Sequence, residues 1–222
     1  MGRPYDQYCP IAQALGVVGE RWSLLVVREL QHGPLRYSDL LERIPGCSTN
    51  MLAVRLRDLE RDGVLERETL PPPAPATVYA LTEAGIALGP VLRELAWWGA
   101  RRMGPPPAEM TFANGELARA LRVAVPAELV AETIEVRVDD DVARIESGVV
   151  LDGAAADPDT ILTMDLTGFY RLFVERDLGG VEVEGDPEAF EALLAGLPPA
   201  PGWTRSAPTV GAPPRPRSEL PA

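Results

Sequence analysis

The side chains best suited to chemistry in this 222-residue chain gather on one short stretch, Ser48 to Asp62 (STNMLAVRLRDLERD). Asn50 carries an amide that can pair with adenine, and Arg57 and Arg61 carry guanidinium groups that suit guanine or phosphate. Ser48, Thr49, Val54 and Arg55 stand close by. At about 100° per residue, Asn50, Val54, Arg57 and Arg61 share one helical face, opposite Leu52, Leu56 and Leu59. The acids Asp58, Glu60 and Asp62 fall on the flanks. A helix that is neutral overall is thus sorted into a buried stripe and a polar, positive outer face, which is what insertion into a DNA major groove requires. An ordinary amphipathic surface helix would show the same sorting, so the setting has to decide.

Other chemistries find fewer residues. A metal site would need Cys9, Cys47 and His32 together with a carboxylate, and their spacing fits no zinc pattern, so neither metal nor cofactor is expected. The second half has no His, no Cys, no Gly-x-Ser-x-Gly and no phosphate-cradling loop, which leaves no catalytic residue to name. Asp139, Asp140 and Asp141 read as a solvated turn.

The elements around the Ser48 stretch supply its setting. Ser48 is a good N-cap, since its hydroxyl can accept from first-turn amides. Gly63 suits a left-handed C-terminal cap. A short helical stretch, Tyr37–Ile44, precedes it and ends at Pro45-Gly46. Two strand-like runs, Val64–Thr69 and Thr77–Leu81, follow it around a tip that holds three consecutive prolines, which forbid regular structure and stiffen the tip. Helix, turn, helix and hairpin is the order of a winged helix-turn-helix. Arg67, on the first wing strand, is then a phosphate candidate.

Charge divides the chain. Residues 1–104 hold 12 arginines and 12 acids, whereas residues 105–222 hold 9 against 21, the whole of the net −12. DNA binding usually leaves a basic footprint, so only the neutral half can touch DNA and the acidic half must be held away. No run approaches the ~18 apolar residues of a membrane span. The start, MGRPYDQYCP, lacks the apolar core of a signal peptide. A soluble, cytoplasmic protein is expected.

Earlier in the chain, Tyr8–Gly16 and Arg21–Leu30 read as apolar helices. After the wing, Thr82 caps a helix whose stripe is Leu88, Val91, Leu92, Leu95 and Trp98, with Pro90 kinking or restarting it. Trp97 and Trp98 cannot both face one small core, so they are candidates for an interface with a second copy of the chain. Residues 104–109, opened by Gly104-Pro105-Pro106-Pro107, form a linker. Beyond it, Leu117–Val125, Leu166–Val174 and the run from Asp186-Pro187 read as helices. Thr133–Val138, Val142–Glu146, Thr160–Asp165 and Val181–Gly185 read as strands. The fold class is α+β, with an antiparallel sheet in the second half. Residues 198–222, rich in proline, are expected to be disordered.

Residues 9–103 resemble the HxlR-type family of bacterial transcriptional regulators, through CPIAQALGVVGERWSLLVVREL, GPLRYSDLLERIPGCSTNMLAVRLRDLERDGVLER and VYALTEAG. The resemblance implies a first domain over residues 1–103 that binds DNA and dimerises through its terminal helices. It also implies a homodimer on inverted-repeat, double-stranded DNA, acting as repressor or activator. A cysteine near the N-terminus serves as a thiol sensor in some members, which makes Cys9 a redox candidate beside the alternative of a small buried hydrophobe. Residues 110–197 are similar to a sterol-carrier-protein-2-like domain, through DPDTILTMDLTGFYRLF and VEVEGDPEAFEALLAG. That similarity implies an apolar space between sheet and helices for a lipid-like or other hydrophobic molecule. Phe112, Leu162, Met164, Phe169, Tyr170, Phe173 and Phe190 are the candidates to line it, and core packing is the competing role for each. The expected function is therefore a dimeric DNA-binding regulator controlled by a hydrophobic small molecule. The alternatives are an interaction scaffold whose winged helix leaves DNA alone, and an enzyme acting on acyl substrates through the second half.

Overall fold

The computed structural model describes residues 5–69, 76–112, 115–125 and 132–197. Residues Met1–Glu94 and Leu95–Ala222 form two compact units. The division falls inside a helix, earlier than the proline-rich linker at 104–109. The wing tip and the tail 198–222 lie outside the described residues.

The first unit opens with helices α1 (Pro10–Val18), α2 (Ser23–Leu30), α3 (Tyr37–Arg43) and α4 (Thr49–Arg61). Local chemistry sets the limits of α4. The Ser48 hydroxyl accepts from the Met51 amide at 3.4 Å. At the other end the Val64 amide donates to the Leu59 carbonyl and the Gly63 amide to the Glu60 carbonyl. This paired closure needs a left-handed residue, and Gly63 supplies it at φ +71°. Strands β1 (Leu65–Thr69) and β2 (Thr77–Leu81) pair antiparallel, with Arg67 opposite Tyr79. Leu35 makes an isolated antiparallel bridge to Tyr79, joining the link between α2 and α3 to this hairpin. The core under α4 holds Val26, Val27, Leu30, Leu40, Ile44, Leu52, Leu56, Leu59 and Leu65.

Thr82 caps α5 (Glu83–Ile86) by accepting from the Gly85 amide. Gly85 has to be glycine here, because a β-carbon would stand 2.1 Å from the Val64 carbonyl oxygen. The chain then restarts at Gly89-Pro90 as α6 (Gly89–Met103), so Pro90 occupies a first turn where its missing N–H costs nothing. The expected stripe divides. Leu88 and Leu92 pack on the first core, whereas Val91, Leu95 and Trp98 stand exposed.

The second unit carries α7 (Glu116–Ala124), β3 (Ile134–Val138), β4 (Asp141–Glu146), β5 (Val149–Asp152), β6 (Thr160–Met164), α8 (Leu166–Tyr170), a π-helical turn over Arg171–Glu175, β7 (Glu182–Gly185) and α9 (Pro187–Gly196). The sheet order is β5-β4-β3-β6-β7. The expected antiparallel sheet is corrected to a mixed one, since β3 and β6 run parallel at its centre. Alternation along a strand is the same for either partner direction, so only the crossover between β5 and β6 decides it. One face is apolar (Ile134, Val136, Val138, Ala143, Ile145, Val150, Leu162 and Met164) and joins the core made with α7 and α9. The other face is mixed, with Glu135, Arg137, Arg144 and Thr163 among Val142, Leu151 and Ile161. There Glu135, almost fully buried, is held by Arg137 at 2.6 Å and by the Ala155 amide at 2.7 Å.

Candidate nucleic-acid interface

The outer face of α4 rests on a rigid base. Leu52, Leu56 and Leu59 are fully buried, and the Tyr37 hydroxyl donates to the Thr49 carbonyl at 2.6 Å, tying α3 to the first turn of α4. Ser48, Thr49, Asn50 and Arg57 are exposed, and Val54 is half-buried between them and the core. Among the described residues Arg57 makes no ion pair, and its Nε donates only to the Ala53 carbonyl one turn back, at 3.2 Å. Its guanidinium is thereby laid along the outer face.

The other arginines differ. Arg55 is not part of the outer face. It is 9% exposed and lies between Glu20 at 3.7 Å and Asp58 at 3.3 Å, so it is withdrawn as a DNA candidate. On a helical wheel it borders the leucine stripe, and its long stem packs inward while the charge meets Glu20 from the α1–α2 link. Arg61 is exposed but engaged by Asp58 at 2.9 Å and by Asp62 at 3.0 Å; the hydrogen bond to Asp62 is the main cause raising its pKa further above the ordinary value. Arg67 pairs with Glu60 at 3.0 Å and lies over the Tyr79 ring. Arg61 and Arg67 would have to exchange carboxylates for phosphate.

Sequence reasoning overlooked two residues here. Met51 is exposed beside Asn50, and Tyr37 holds the turn. Met51 was legible only as a flank residue, since it lies about 100° around the wheel from Asn50 and from Leu52.

The tryptophans separate cleanly. Trp97 is 7% exposed within the core of the second unit, so it is corrected from interface residue to core residue. Trp98, one position on, is 51% exposed with the Arg102 guanidinium over its ring. Of the thiols, Cys9 is half-buried at the N-cap of α1, and Cys47 is buried, with its pKa pushed up chiefly by burial.

Of the seven residues expected to line an apolar space, all but Tyr170 are in or against the second core. Leu162, Met164, Phe173 and Phe190 are buried in it, where packing accounts for them. Phe112 and Phe169 are partly buried at its edge and meet edge to face at 5.3 Å, and Phe169 lies 4.5 Å from Phe173. Tyr170 is half-buried, and burial, with Glu175 behind it, raises its pKa. Among the described residues no three of His, Cys, Asp and Glu gather in a metal-binding group, and no helix is long and apolar enough to cross a membrane.

Residues 17–106 match the family model described as HxlR-like helix-turn-helix. An uncharacterised HTH-type transcriptional regulator of Synechocystis sp. is 37% identical over 108 residues, which are 49% of this chain and 80% of the relative. The HTH-type transcriptional regulator YodB of Bacillus subtilis is 40% identical over 91 residues, 40% of this chain and 81% of the relative. The solved structure of reduced YodB from B. subtilis is 36% identical and covers 46% of this chain and 100% of that one, with a TM-score of 0.40. Both relatives are named as transcriptional regulators, which is not an enzymatic function.

Proposed function

Because the chain belongs to the HxlR-like helix-turn-helix family, whose named relatives here are transcriptional regulators, we propose that it binds an inverted-repeat operator as a homodimer and places α4 in the major groove. The observation that carries the reading is the outer face of α4. Asn50 and Arg57 project from a helix locked by three buried leucines, and among the described residues Arg57 pairs with no carboxylate. Asn50 suits adenine, and Arg57 suits guanine or phosphate. Two such heads would read half-sites about 34–36 Å apart, or multiples of that spacing.

The exposed stripe Val91, Leu95 and Trp98 on α6 supports pairing of two copies through this helix. The partly exposed aromatic edge of the second unit supports its reading as a sterol-carrier-protein-2-like domain that takes a hydrophobic small molecule and biases the spacing of the two heads. That control is excluded if a bound molecule leaves operator affinity unchanged. Of the two cysteines, Cys9 has the solvent access that redox sensing needs.

The direct test is Arg57→Ala in the full chain, followed by DNA-binding anisotropy at several salt concentrations. We expect a loss of about 5- to 150-fold if Arg57 pairs with a base, or a salt slope shallower by about one if it pairs with phosphate. Unchanged affinity together with an unchanged slope would remove α4 from the interface and favour an interaction scaffold.

A further inference from the structure

We propose that Arg21, stacked on the Trp22 ring beside the turn before α4, grips a DNA backbone phosphate at the wall of the groove that α4 enters. The inference rests on the DNA-binding reading of α4 and deepens it by adding a contact from outside that helix. Every residue it uses belongs to residues 1–94.

The backbone at Trp22 comes first. Trp22 directly precedes α2 and stands at φ +80° and ψ −21°, in the left-handed region. A bulky side chain there is a strained outlier, and strain of this kind concentrates at functional sites. The strain gains no helix cap, because the Trp22 side chain makes no capping hydrogen bond to α2. What it secures is the place of the ring. The ring packs, half-buried, on the first core, and its Cη2 lies 3.6 Å from where a β-carbon on Gly46 would stand. Gly46 belongs to the turn between α3 and α4 and is itself at φ +82°. Trp22 therefore braces the turn that aims α4.

Arg21 lies on that ring. Its guanidinium stands 4.6 Å from the ring centroid, and the residue is exposed. Glu20, one position back, turns instead to Arg55 at 3.7 Å, and among the described residues Arg21 pairs with no carboxylate. Its charge is felt in the turn as well: burial raises the pKa of the Cys47 thiol, and Arg21 opposes that rise. Cys47 directly precedes Ser48, the N-cap of α4. Ring, turn and guanidinium thus gather at the end of α4 that carries Asn50.

The chemistry of a stacked guanidinium selects the partner. Stacking occupies its face and leaves the N–H edge open, and that planar fork matches the paired oxygens of a phosphate. The ring also orders the side chain beforehand, so less freedom is lost on binding. In helix-turn-helix domains the recognition helix reaches base edges with its N-terminal residues, while a neighbouring element crosses the backbone. Arg21 sits on such a neighbouring element. Arg61 and Arg67 reach phosphate only by leaving their carboxylates, whereas Arg21 can bind it in place. Its partner is the phosphodiester, so it adds affinity without sequence preference.

The experiment is DNA-binding anisotropy of the full chain, on the duplex upstream of its own coding region and on an unrelated duplex, across about 50–200 mM salt. Arg21→Gln is expected to weaken binding to both duplexes equally, by about eightfold near 100 mM, which is the counterion-release share of one phosphate. The salt slope should become shallower by about 0.9. Arg21→Lys keeps the charge and should keep the slope of the parent. Thermal melts of both variants should match the parent, because the side chain is exposed. Unchanged affinity and slope in Arg21→Gln, or a slope lost equally in Arg21→Lys, would overturn the phosphate grip while leaving α4 as the reader. A loss confined to the upstream duplex would overturn it too, by making Arg21 a base contact. A parent that binds neither duplex would overturn the grip and the DNA-binding reading together.

Discussion

Helices α4 and α6 each carry an apolar stripe at helical spacing, and the two stripes end in opposite places. In α4, Leu52, Leu56 and Leu59 vanish into the core, covered by α1, α2 and the wing strand β1. In α6, Val91, Leu95 and Trp98 remain in solvent, while Trp97, about 100° around the helix, is the residue that is buried. Periodicity therefore identifies a face that needs covering and says nothing about what covers it. The stripe of α4 positions a polar outer face. The stripe of α6 is the surface on which a second copy is proposed to sit, since contiguous exposed apolar side chains mark interaction sites.

The comparison breaks most visibly at α6. Leu95→Asp places a charge on the proposed pairing face, and sedimentation should then report the 24.0 kDa single chain instead of twice that mass. Operator affinity should fall by about 10²- to 10⁴-fold, because two linked heads bind far more tightly than one. A Leu95→Asp protein that sediments and binds DNA like the parent would detach the α6 stripe from pairing.

Next in size is Leu59→Ala in α4, which removes a fully buried side chain and should lower stability by about 2–5 kcal/mol in denaturant melts. Trp98→Ala under dissociating conditions should stay within about 0.5 kcal/mol of the parent. A large loss from Trp98→Ala in the dissociated chain would mean that its own unit covers it.

Smaller again is the contrast between Arg55 and Arg57. Arg55→Ala leaves Asp58 and Glu20 without their shared partner and should cost about 1–3 kcal/mol of stability. Arg57→Ala should leave the melt nearly unchanged and act on DNA alone. If the two variants exchanged these effects, the assignment of inner and outer face would be reversed. The smallest effect is on thiol labelling of the folded chain. Cys9 should react with iodoacetamide well before Cys47, whose burial holds it protonated. Faster labelling of Cys47 would contradict its burial.

Much of the first unit was legible because its punctuation is local. Ser48, Thr82, Gly63 and Pro90 act through bonds to residues a few positions away, and the structure places each cap or restart where that chemistry requires it. What was not legible depends on partners distant in sequence. Arg55 could be assigned to the inner side only once Glu20 was known to stand opposite it. Trp97 and Trp98 were distinguishable as a pair but not individually, since the core that takes Trp97 is built from residues beyond 112. In the second unit β5 had a signal that went unread. Ser147-Gly148, with positive φ at both residues, is the two-residue turn that joins it to β4. The parallel pairing of β3 with β6 had no local signal at all.

The measurement that tests the regulator reading most directly is binding of the intact protein to the DNA upstream of its own coding region, against an unrelated duplex, at about 50 and 200 mM salt. The expected result is selective binding that weakens by about 10³- to 10⁵-fold across that range if six to ten phosphates are contacted, with Arg57→Ala reducing it. Equal affinity for the unrelated duplex, or no binding at either salt concentration, would contradict a DNA-reading role for α4.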